Sequence, residues 1–483
     1  MIELAPTGTP GLDHIFHGGI VKGSVALIQG TPGSGKTTLG LQFIYHGAKY
    51  CNEPGLVITF EQLPQQIYRD AAQMGLDLQK LEEESKVRVI STSPEVFRSE
   101  MQAADGMIQE QVQALGVKRL LVDSISHFQR LTDDRVELRN LVTSLLNAIR
   151  QQGCTTFFTQ EIDREDTQFV AHEQYIADAV VRMHFATVNE LERRRLIEVL
   201  KSRGQAFEAG KHSCEIKDNG LYIYPRPRPA ARAETDPPTP EAAAVRQLFG
   251  IHGLDRMMGG GLLSGFSALI AGDAGTGKSC FGRCFLAEGI RGGERGLLVD
   301  LREGAAKIIN ASRSIGLDIR PMVEANQLSL IHESPVRLDP DRLFWRLKDL
   351  VEREAFDRVV IDSLTDLEPA IADQDRFRDY VYALTDLFGA KGITSIFIRQ
   401  AEAEETPAER ELVESDLSMV FDAIIAVRLR RIQDHIRKTL AILKLRATEH
   451  DTGVRQFKVT SDGVHVDTGF EGGTHFLRQL AKA

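Results

Sequence analysis

The sequence predicts an α/β protein of two tandem domains, each with a mostly parallel sheet flanked by helices. Three observations support this fold class. A glycine-rich segment that ends in Gly-Lys followed by Thr or Ser occurs twice, at residues 30–37 and 272–279. Apolar strand-length runs alternate with helix-length stretches around each copy, which is typical of a parallel sheet. A proline-rich run at residues 225–240 separates the two copies.

The first domain begins with a strand and a phosphate-binding loop. Residues 24–28 predict a buried strand that leads into the loop. The glycines let backbone N–H groups approach phosphates, the helix N-terminus attracts anions, the lysine reaches the β- and γ-phosphates, and the next hydroxyl contacts Mg²⁺. We therefore predict that the loop binds ATP and Mg²⁺. The predicted nucleotide contacts are Thr31, Gly33, Ser34, Gly35, Lys36, Thr37 and Thr38, with Thr37 also a metal ligand.

The rest of the first domain continues the alternation of strands and helices. Strands are predicted at residues 55–60, 87–90, 119–122 and 155–159, and a helix at 135–151. Asp123 ends an apolar strand, so it is placed at the sheet edge where a carboxylate can bind the Mg²⁺ and its nucleotide. Glu61 follows another strand end, and we predict that it orients the attacking water as the general base.

The second domain repeats these features 242 positions later, the difference between Lys278 and Lys36 (278 − 36). Arg302 stands where the first domain has Glu61, and Glu303 follows it. We therefore predict slow or absent hydrolysis in the second site, with Glu303 as its remaining catalytic candidate. The predicted nucleotide contacts are Asp273, Gly275, Thr276, Gly277, Lys278, Ser279, Cys280 and Asp362, of which Ser279 and Asp362 also bind the metal.

The repeat sets the predicted domain boundaries. The first domain is expected at residues 1–224 and the second at 245–483. Between them, the proline-rich segment 225–244 can form neither a helix nor a central strand, so we predict a linker there.

Basic clusters recur near the end of each half. Arg193–Arg195 precede Lys201–Arg203 in the first half, and Arg437 and Lys438 precede Lys444–Arg446 in the second. A Lys-x-Arg pair at corresponding positions suits a contact with the γ-phosphate bound by a neighbouring subunit. This interpretation requires an oligomer.

Composition narrows the function classes. The chain has 483 residues, a net charge of −10 and five cysteines without a Cys-x-x-Cys pair. The odd cysteine count argues against a disulfide framework or structural zinc. The acidic balance and single tryptophan disfavour a nucleic-acid partner. We expect a cytoplasmic protein without a membrane segment, because neither a basic, apolar leader nor a spanning apolar run is found.

With these residues in view, the chain resembles the tandem-domain, RecA-like ATPases of the KaiC family over nearly its whole length. The resemblance rests on residues 11–13 with 18–19, Glu53-Pro54-Gly55 leading to Thr59-Phe60-Glu61, Ile361–Leu364 and Leu443–Arg446. It implies a ring, typically a hexamer, with ATP between protomers and the two halves stacked as two tiers. In such rings the first tier hydrolyses ATP slowly and the second can phosphorylate itself.

The resemblance also assigns residues. Glu61 matches the catalytic glutamate of the first tier, and Ser418 matches one of two adjacent phosphoacceptors, the other being replaced by Met419. Arg302 replaces the catalytic glutamate of the second tier, which disfavours phosphotransfer there. The nucleotide contacts that the resemblance adds are Arg195, Lys201, Ser202, Arg203, Asp218, Lys438, Lys444, Leu445, Arg446 and His450.

The function that accounts for the most residues is a ring-forming signalling ATPase with protein partners, whose second domain is a candidate serine autokinase and autophosphatase. Two alternatives stay open. One is a DNA-dependent RecA-like motor or recombinase, which DNA-stimulated, salt-dependent ATPase activity would reveal. The other is a scaffold in which ATP joins the subunits without being hydrolysed.

Overall fold

The computed structural model describes two compact units, Met1–Arg226 and Pro227–Ala483. The described residues are 2–102, 106–132, 134–162, 172–189, 192–229, 245–371, 373–400, 416–432 and 435–467. Most of the predicted linker, residues 230–244, and the last residues of the predicted second domain, 468–483, lie outside this description.

The first unit alternates strands and helices as predicted. Its strands are β1 Leu4–Ala5, β2 Ile20–Val21, β3 Val25–Gly30, β4 Gly55–Thr59, β5 Val87–Ser91, β6 Arg119–Asp123, β7 Thr155–Glu161, β8 Ala179–Asn189, β9 Glu192–Ser202, β10 Lys211–Lys217 and β11 Gly220–Tyr224. Its α-helices are α1 Leu12–Ile15, α2 Lys36–Tyr50, α3 Pro64–Gln73, α4 Leu78–Glu83, α5 Pro94–Gln102, α6 Met107–Leu115, α7 Arg135–Gln151 and α8 His172–Ile176. A 3₁₀ helix at Ile125–Arg130 follows β6.

Nine strands of this unit form one sheet in the order β11-β10-β9-β8-β3-β7-β6-β4-β5. The neighbouring strands β8, β3, β7, β6, β4 and β5 are parallel, and β9, β10 and β11 extend the sheet by antiparallel pairing. The predicted α/β class with a mostly parallel sheet is confirmed. The antiparallel edge places the first basic cluster on β9.

Alternate residues of the central strand β3 enter cores on opposite faces of the sheet. Ala26 and Ile28 belong to the core that includes α2, and Val25 and Leu27 belong to the core that includes α7. Because both faces are covered, nearly the whole strand is apolar, as parallel strands require.

The second unit repeats this architecture. Its strands are β12 Arg246–Gln247, β13 Leu262–Leu263, β14 Ser267–Gly272, β15 Gly296–Asp300, β16 Leu328–His332, β17 Arg358–Asp362, β18 Thr394–Gln400, β19 Ala423–Ile432, β20 His435–Leu445, β21 Arg455–Thr460 and β22 Gly463–Val466. Its α-helices are α9 His252–Met257, α10 Lys278–Arg291, α11 Ala305–Arg313, α12 Arg320–Glu324, α13 Pro340–Arg353, α14 Leu364–Ile371 and α15 Gln374–Ala390. Two 3₁₀ helices lie at Pro335–Arg337 and Asp416–Met419.

The sheet order of the second unit is β16-β15-β17-β18-β14-β19-β20-β21-β22. Read from its other edge, the first sheet has the same order, with β5 equivalent to β16, β3 to β14 and β11 to β22. The neighbouring strands β16, β15, β17, β18, β14 and β19 are parallel, and β20, β21 and β22 extend the sheet by antiparallel pairing. The internal repeat predicted from the sequence is therefore also a repeat of topology.

Candidate functional site

The first phosphate-binding loop connects the carboxyl end of β3 to the first turn of α2. Gly33 and Gly35 adopt positive φ angles of 76° and 107°, which glycine tolerates best. The ammonium of Lys36 donates to the carbonyl oxygens of Gly30 at 2.9 Å and Thr31 at 3.1 Å. Burial lowers the pKa of Lys36, although the carboxylates of Glu161 and Asp123 oppose that shift. The lysine is thus folded into the loop, within reach of a bound phosphate.

The loop has the close backbone approach that a phosphate site needs. A Cβ added at Gly30 would lie 2.6 Å from the carbonyl oxygen of Met183, so no other residue fits there. The hydroxyl of Ser34 is buried without a hydrogen-bond partner among the described residues. Such an unpaired buried hydroxyl is costly unless a ligand completes it. These two observations fit an anion held in the loop.

The Mg²⁺ ligands predicted for the first domain lie together. The Thr37 hydroxyl donates to Oδ2 of Asp123 at 2.7 Å, and Thr159 donates to the other carboxylate oxygen. In the described part of the chain, no group of three or more His, Cys, Asp or Glu residues is placed to hold a metal. A hydroxyl and one carboxylate nevertheless suit Mg²⁺, which takes its other ligands from water and phosphates.

Glu61 lines the same cavity as the loop. This cavity has a volume of about 430 Å³. The Glu61 side chain is 65% exposed, and its Oε1 lies 3.2 Å from Nε2 of His127. The sequence analysis assigned no role to His127, although its position four residues after Asp123 could have indicated one. The cavity is lined by Pro32, Gly33, Gly35, Lys36, Thr37, Thr38, Thr59, Glu61, Gln62, Asp123, Ser124, His127, Glu161, Arg195 and Ile216.

The second loop has the same form with a different anchor. Lys278 donates to the carbonyl oxygens of Gly272 at 2.9 Å and Asp273 at 2.7 Å. The Asp273 carboxylate accepts from Arg428 at 2.9 Å and from the backbone N–H of Leu429 at 2.7 Å. Asp273 therefore fixes the loop to β19, a role that the first loop gives to no acid. Thr276 caps the same turn through the Asp273 carbonyl at 2.9 Å.

Asp362 occupies the position of Asp123 in the second domain. Burial raises the pKa of Asp362 to about 6, and its hydrogen bond with Ser279 limits the rise. The carboxylate is therefore mainly ionised at neutral pH and available as a metal ligand. Cys280 follows in the first turn of α10 and donates its backbone N–H to Gly277 at 3.0 Å.

Arg302 and Asp366 of the second domain stand at the positions of Glu61 and His127 in the first. Thr59 pairs with Asp123 in the first sheet, as Asp300 pairs with Asp362 in the second. Two residues beyond each strand residue stand Glu61 and Arg302, and four residues beyond each aspartate stand His127 and Asp366. The guanidinium Nε of Arg302 donates to both carboxylate oxygens of Asp366, at 2.7 and 2.9 Å.

Glu303 is held by cations on both sides. Its carboxylate lies 3.1 Å from Arg283 and 2.9 Å from Lys307. Burial alone would raise the pKa of Glu303, but Lys307 and Arg283 outweigh it and lower the pKa. A carboxylate so neutralised is a weak base. The surrounding cavity, about 570 Å³, is lined by Ala274, Gly275, Gly277, Lys278, Ser279, Arg283, Asp300, Arg302, Glu303, Lys307, Ala311, Asp362, Ser363, Ile398 and Gln400.

Two of the predicted basic contacts lie beside the loop of their own domain. Arg195 on β9 donates to the carbonyl oxygen of Gly33 at 3.1 Å. The ammonium of Lys438 on β20 lies 3.9 Å from the point that a Cβ on Gly277 would occupy. Both cations can therefore add positive charge near bound phosphates.

The Lys-x-Arg pairs lie elsewhere. Lys201 donates to three carbonyl oxygens, including that of Ala177 at 2.6 Å, and Arg203 donates to Tyr175 at 2.8 Å. Lys444 and Arg446 repeat this pattern in the second domain. Neither pair lines the nucleotide cavity of its own domain.

The remaining predicted contacts are also outside the two cavities. Ser202 and Leu445 end β9 and β20, Asp218 lies in the turn between β10 and β11, and Nδ1 of His450 is 3.5 Å from the Thr448 carbonyl.

None of the helices in the described ranges has both the length and the apolar character that crossing a bilayer demands.

The thiols beyond the second loop are expected to react slowly. Burial raises the pKa of Cys284 to about 11, and neighbouring Cys280 adds to the rise. Because only the thiolate reacts, we expect Cys284 of the folded protein to resist iodoacetamide at pH 8 and its rate to rise about tenfold per pH unit toward that pKa. Peptide mass spectrometry with and without urea measures this. Equal rates in folded and unfolded protein would contradict it.

Comparison with known proteins agrees with this geometry. A family model for the KaiC ATPase matches the chain twice, at residues 5–228 and 248–469. The circadian clock oscillator protein KaiC of Picosynechococcus sp. is 29% identical over 468 residues, which cover 95% of this chain and 89% of that protein. The protein of the same name from Synechococcus elongatus is 28% identical over 468 residues, covering 95% and 88%.

The matches span both units, and each includes a complete phosphate-binding loop and the strand that ends in Asp123 or in Asp362. Family membership implies nucleotide binding, which is what the two loops are built to do. This chain belongs to the KaiC family of ATPases, with the ATPase domain present twice.

Proposed function

We propose that this protein is a ring-forming ATPase whose first domain hydrolyses MgATP and whose second domain binds it without rapid hydrolysis. One contrast carries the proposal. The first cavity has Glu61 beside His127, with 3.2 Å between Oε1 and Nε2, and the second has Arg302 bound to Asp366 at the equivalent positions. A glutamate can accept a proton from water, whereas an arginine cannot.

In the first domain each group has a defined task. The Glu61 carboxylate orients the attacking water and accepts its proton, and His127 holds that carboxylate in place. Lys36 and the loop N–H groups bind the phosphates. Thr37 and Asp123 would hold Mg²⁺, which when bound neutralises charge on the β- and γ-phosphates.

The ring is proposed from the Lys-x-Arg pairs. Arg203 has 56% of its side chain exposed and touches Asp178 of its own chain at 3.7 Å, yet it is absent from the lining of its own cavity. A cation placed away from its own site, at the end of a strand, suits contact with the nucleotide of a neighbouring subunit. The relatives are named as clock oscillator proteins, so we propose protein partners in signalling for this chain too.

Subunit mixing tests hydrolysis and the ring together. We expect Lys36→Ala to lack phosphate release, because its own loop cannot hold ATP, and Arg203→Ala to lose about tenfold, the effect of one charge-assisted hydrogen bond. When the two proteins are assembled together with ATP and Mg²⁺, activity should recover, because some interfaces combine an intact loop with an intact arginine.

The control is a mixture of Lys36→Ala with the double variant Lys36→Ala/Arg203→Ala, which contains no intact loop and should stay inactive. Size-exclusion chromatography with light scattering establishes that mixed oligomers form. Mixed oligomers without recovered activity would show that Arg203 acts only within its own chain. If the ATP-bound protein stays monomeric in this measurement, the proposed ring is wrong.

Phosphotransfer to Ser418 is a second candidate activity. One observation favours it: the ammonium of Lys444 donates to the Ser418 carbonyl at 2.6 Å, so the serine lies beside a proposed interface cation. Its low exposure, 8%, and the presence of Arg302 in place of a catalytic glutamate weigh against it. Transfer of γ-labelled phosphate to the parent and not to Ser418→Ala would establish the activity, and an unlabelled parent would exclude it.

A further inference from the structure

We propose that Arg302 makes the second domain select ATP over ADP by binding the γ-phosphate within the same chain. This inference rests on the proposed function, in which the second domain retains ATP. It adds a specificity-determining residue to that site. The position of Arg302 carries it: the residue equivalent to Glu61 faces the γ-phosphate, because that is where the attacking water must be oriented.

The backbone before Arg302 is fixed. Asp300 ends β15, is 3% exposed, and accepts the N–H groups of Arg302 at 2.9 Å and of Glu303 at 2.6 Å. This turn directs the arginine side chain into the cavity that it shares with Lys278 and Asp362. The backbone of Arg302 is therefore fixed at the end of β15, beside the cavity that contains Lys278 of the phosphate-binding loop.

The guanidinium of Arg302 is held through Nε, and its two terminal nitrogens have no hydrogen-bond partner among the described residues. Both hydrogen bonds to Asp366 come from this Nε. Asp366 is itself fixed, because the Ser363 hydroxyl donates to it at 2.6 Å. The Arg302 side chain is 55% exposed, while that of Asp366 is 10% exposed. A guanidinium presented this way matches the fork geometry by which arginine binds phosphate.

Glu303, the next residue along the chain, does not compete for this cation. Glu303 lies 3.1 Å from Arg283 and 2.9 Å from Lys307, so its charge is already neutralised. The loop and Lys278 hold the phosphates that ATP and ADP share, whereas Arg302 reaches only the additional one. Selectivity follows, because a contact made with one ligand alone changes the ratio of their affinities.

Binding of a non-hydrolysable ATP analogue, β,γ-imido-ATP, and of ADP tests the inference. Both are titrated with Mg²⁺ by calorimetry into full-length Lys36→Ala protein, in which only the second loop is intact. We expect Arg302→Ala to lower affinity for the analogue by about tenfold or more, as for loss of a charge-assisted hydrogen bond. Affinity for ADP should change by less than about twofold.

Arg313→Ala is the matched control. Arg313 is also a surface arginine with 55% exposure and an aspartate partner, Asp318 at 3.5 Å, but it lies outside the cavity, so both affinities should be unchanged. Arg302→Lys keeps the charge without the fork and should recover only part of the selectivity. Unchanged thermal unfolding shows that a variant is folded.

Equal loss of affinity for the analogue and ADP would overturn the inference, as would no loss for either. Hydrolysis is judged separately, because the analogue cannot be cleaved. Phosphate release from ATP by the Lys36→Ala protein would refute the retaining role of the second domain, whatever the affinity ratio of Arg302→Ala proves to be.

Discussion

Replacing Glu61 by glutamine is expected to lower phosphate release about a hundredfold, which is the usual scale for losing a general base. Glutamine preserves the size of the side chain and its contact with His127 but cannot accept the proton of the attacking water. Glu61 lines the cavity that contains Lys36 and Asp123, and 65% of its side chain is exposed to the space where that water would stand. Binding of ATP should be almost unaffected.

Glu303→Gln is the matched variant in the second domain, where it should change phosphate release by less than about twofold. It also removes one carboxylate from the lining of a nucleotide cavity, but this carboxylate is already paired with Arg283 and Lys307. Steady-state phosphate release at saturating ATP and Mg²⁺ compares the two. If Glu303→Gln removed a large share of the activity, the second domain would be a hydrolysing site and Arg302 would not have silenced it.

His127 supplies a further comparison for the same assay. In the proposed function it acts through Glu61, so His127→Asn should reduce the rate less than Glu61→Gln does. Full activity in His127→Asn would show that the 3.2 Å contact does not position the base.

Much of the fold could be predicted because its signals are local. The two loops, the apolar strands that end in Asp123 and Asp362, and the helix at residues 135–151 depend on nearby residues alone, and the structure has each of them. The antiparallel strands β9 to β11 were not predicted. Many residues of β9 and β10 are polar and carry a weaker signal. The hairpin of β8 and β9 joins the sheet only because β8 pairs with β3, which lies far earlier in the chain.

Only part of the candidate site could be predicted from the sequence, as for the fold. The replacement of Glu61 by Arg302 was visible in the sequence, because both follow a recognisable strand. Their partners, His127 and Asp366, were not predicted, since each pair joins the ends of two different parallel strands. Only the register between those strands brings the side chains together. The ion pair of Arg283 with Glu303 was also missed, because it depends on how helix α10 packs beside the end of β15.

The register also explains a motif that sequence reasoning could only match to the family. Arg119, at the start of β6, is fully buried and contacts Glu53 through Nε at 2.7 Å and Nη2 at 2.6 Å. Its Nη1 donates to the carbonyl oxygens of Pro6 at 2.8 Å and Phe43 at 2.9 Å. The acid of the Glu53-Pro54-Gly55 segment is therefore the counter-ion of a buried guanidinium.

The second domain contains the same device. Arg358, at the start of β17, pairs with Glu294 and donates to the carbonyl oxygens of Leu248 at 2.6 Å and Phe285 at 2.7 Å. Its guanidinium lies 4.4 Å from the centre of the Phe285 ring. Two buried arginines at equivalent strand starts give a stability test for each domain.

Glu53→Leu is expected to lower the free energy of unfolding of the first domain by about 3 kcal/mol, because breaking one side of a buried ion pair leaves the other charge uncompensated. Urea unfolding followed by circular dichroism should show the first-domain transition at lower denaturant, and Glu294→Leu should move the second-domain transition instead. Arg69→Ala removes an exposed pair with Asp70 and should shift neither transition by more than about 0.5 kcal/mol.

The double variant Glu53→Leu/Arg119→Met separates the charge from the packing. Replacing a buried ion pair by apolar groups of similar volume is often neutral, so the double variant should regain part of the stability that Glu53→Leu loses. The carbonyl oxygens of Pro6 and Phe43 would then lack their donor, which limits the recovery. A double variant less stable than Glu53→Leu would mean that these carbonyl contacts, rather than the pairing with Glu53, are the main contribution of Arg119.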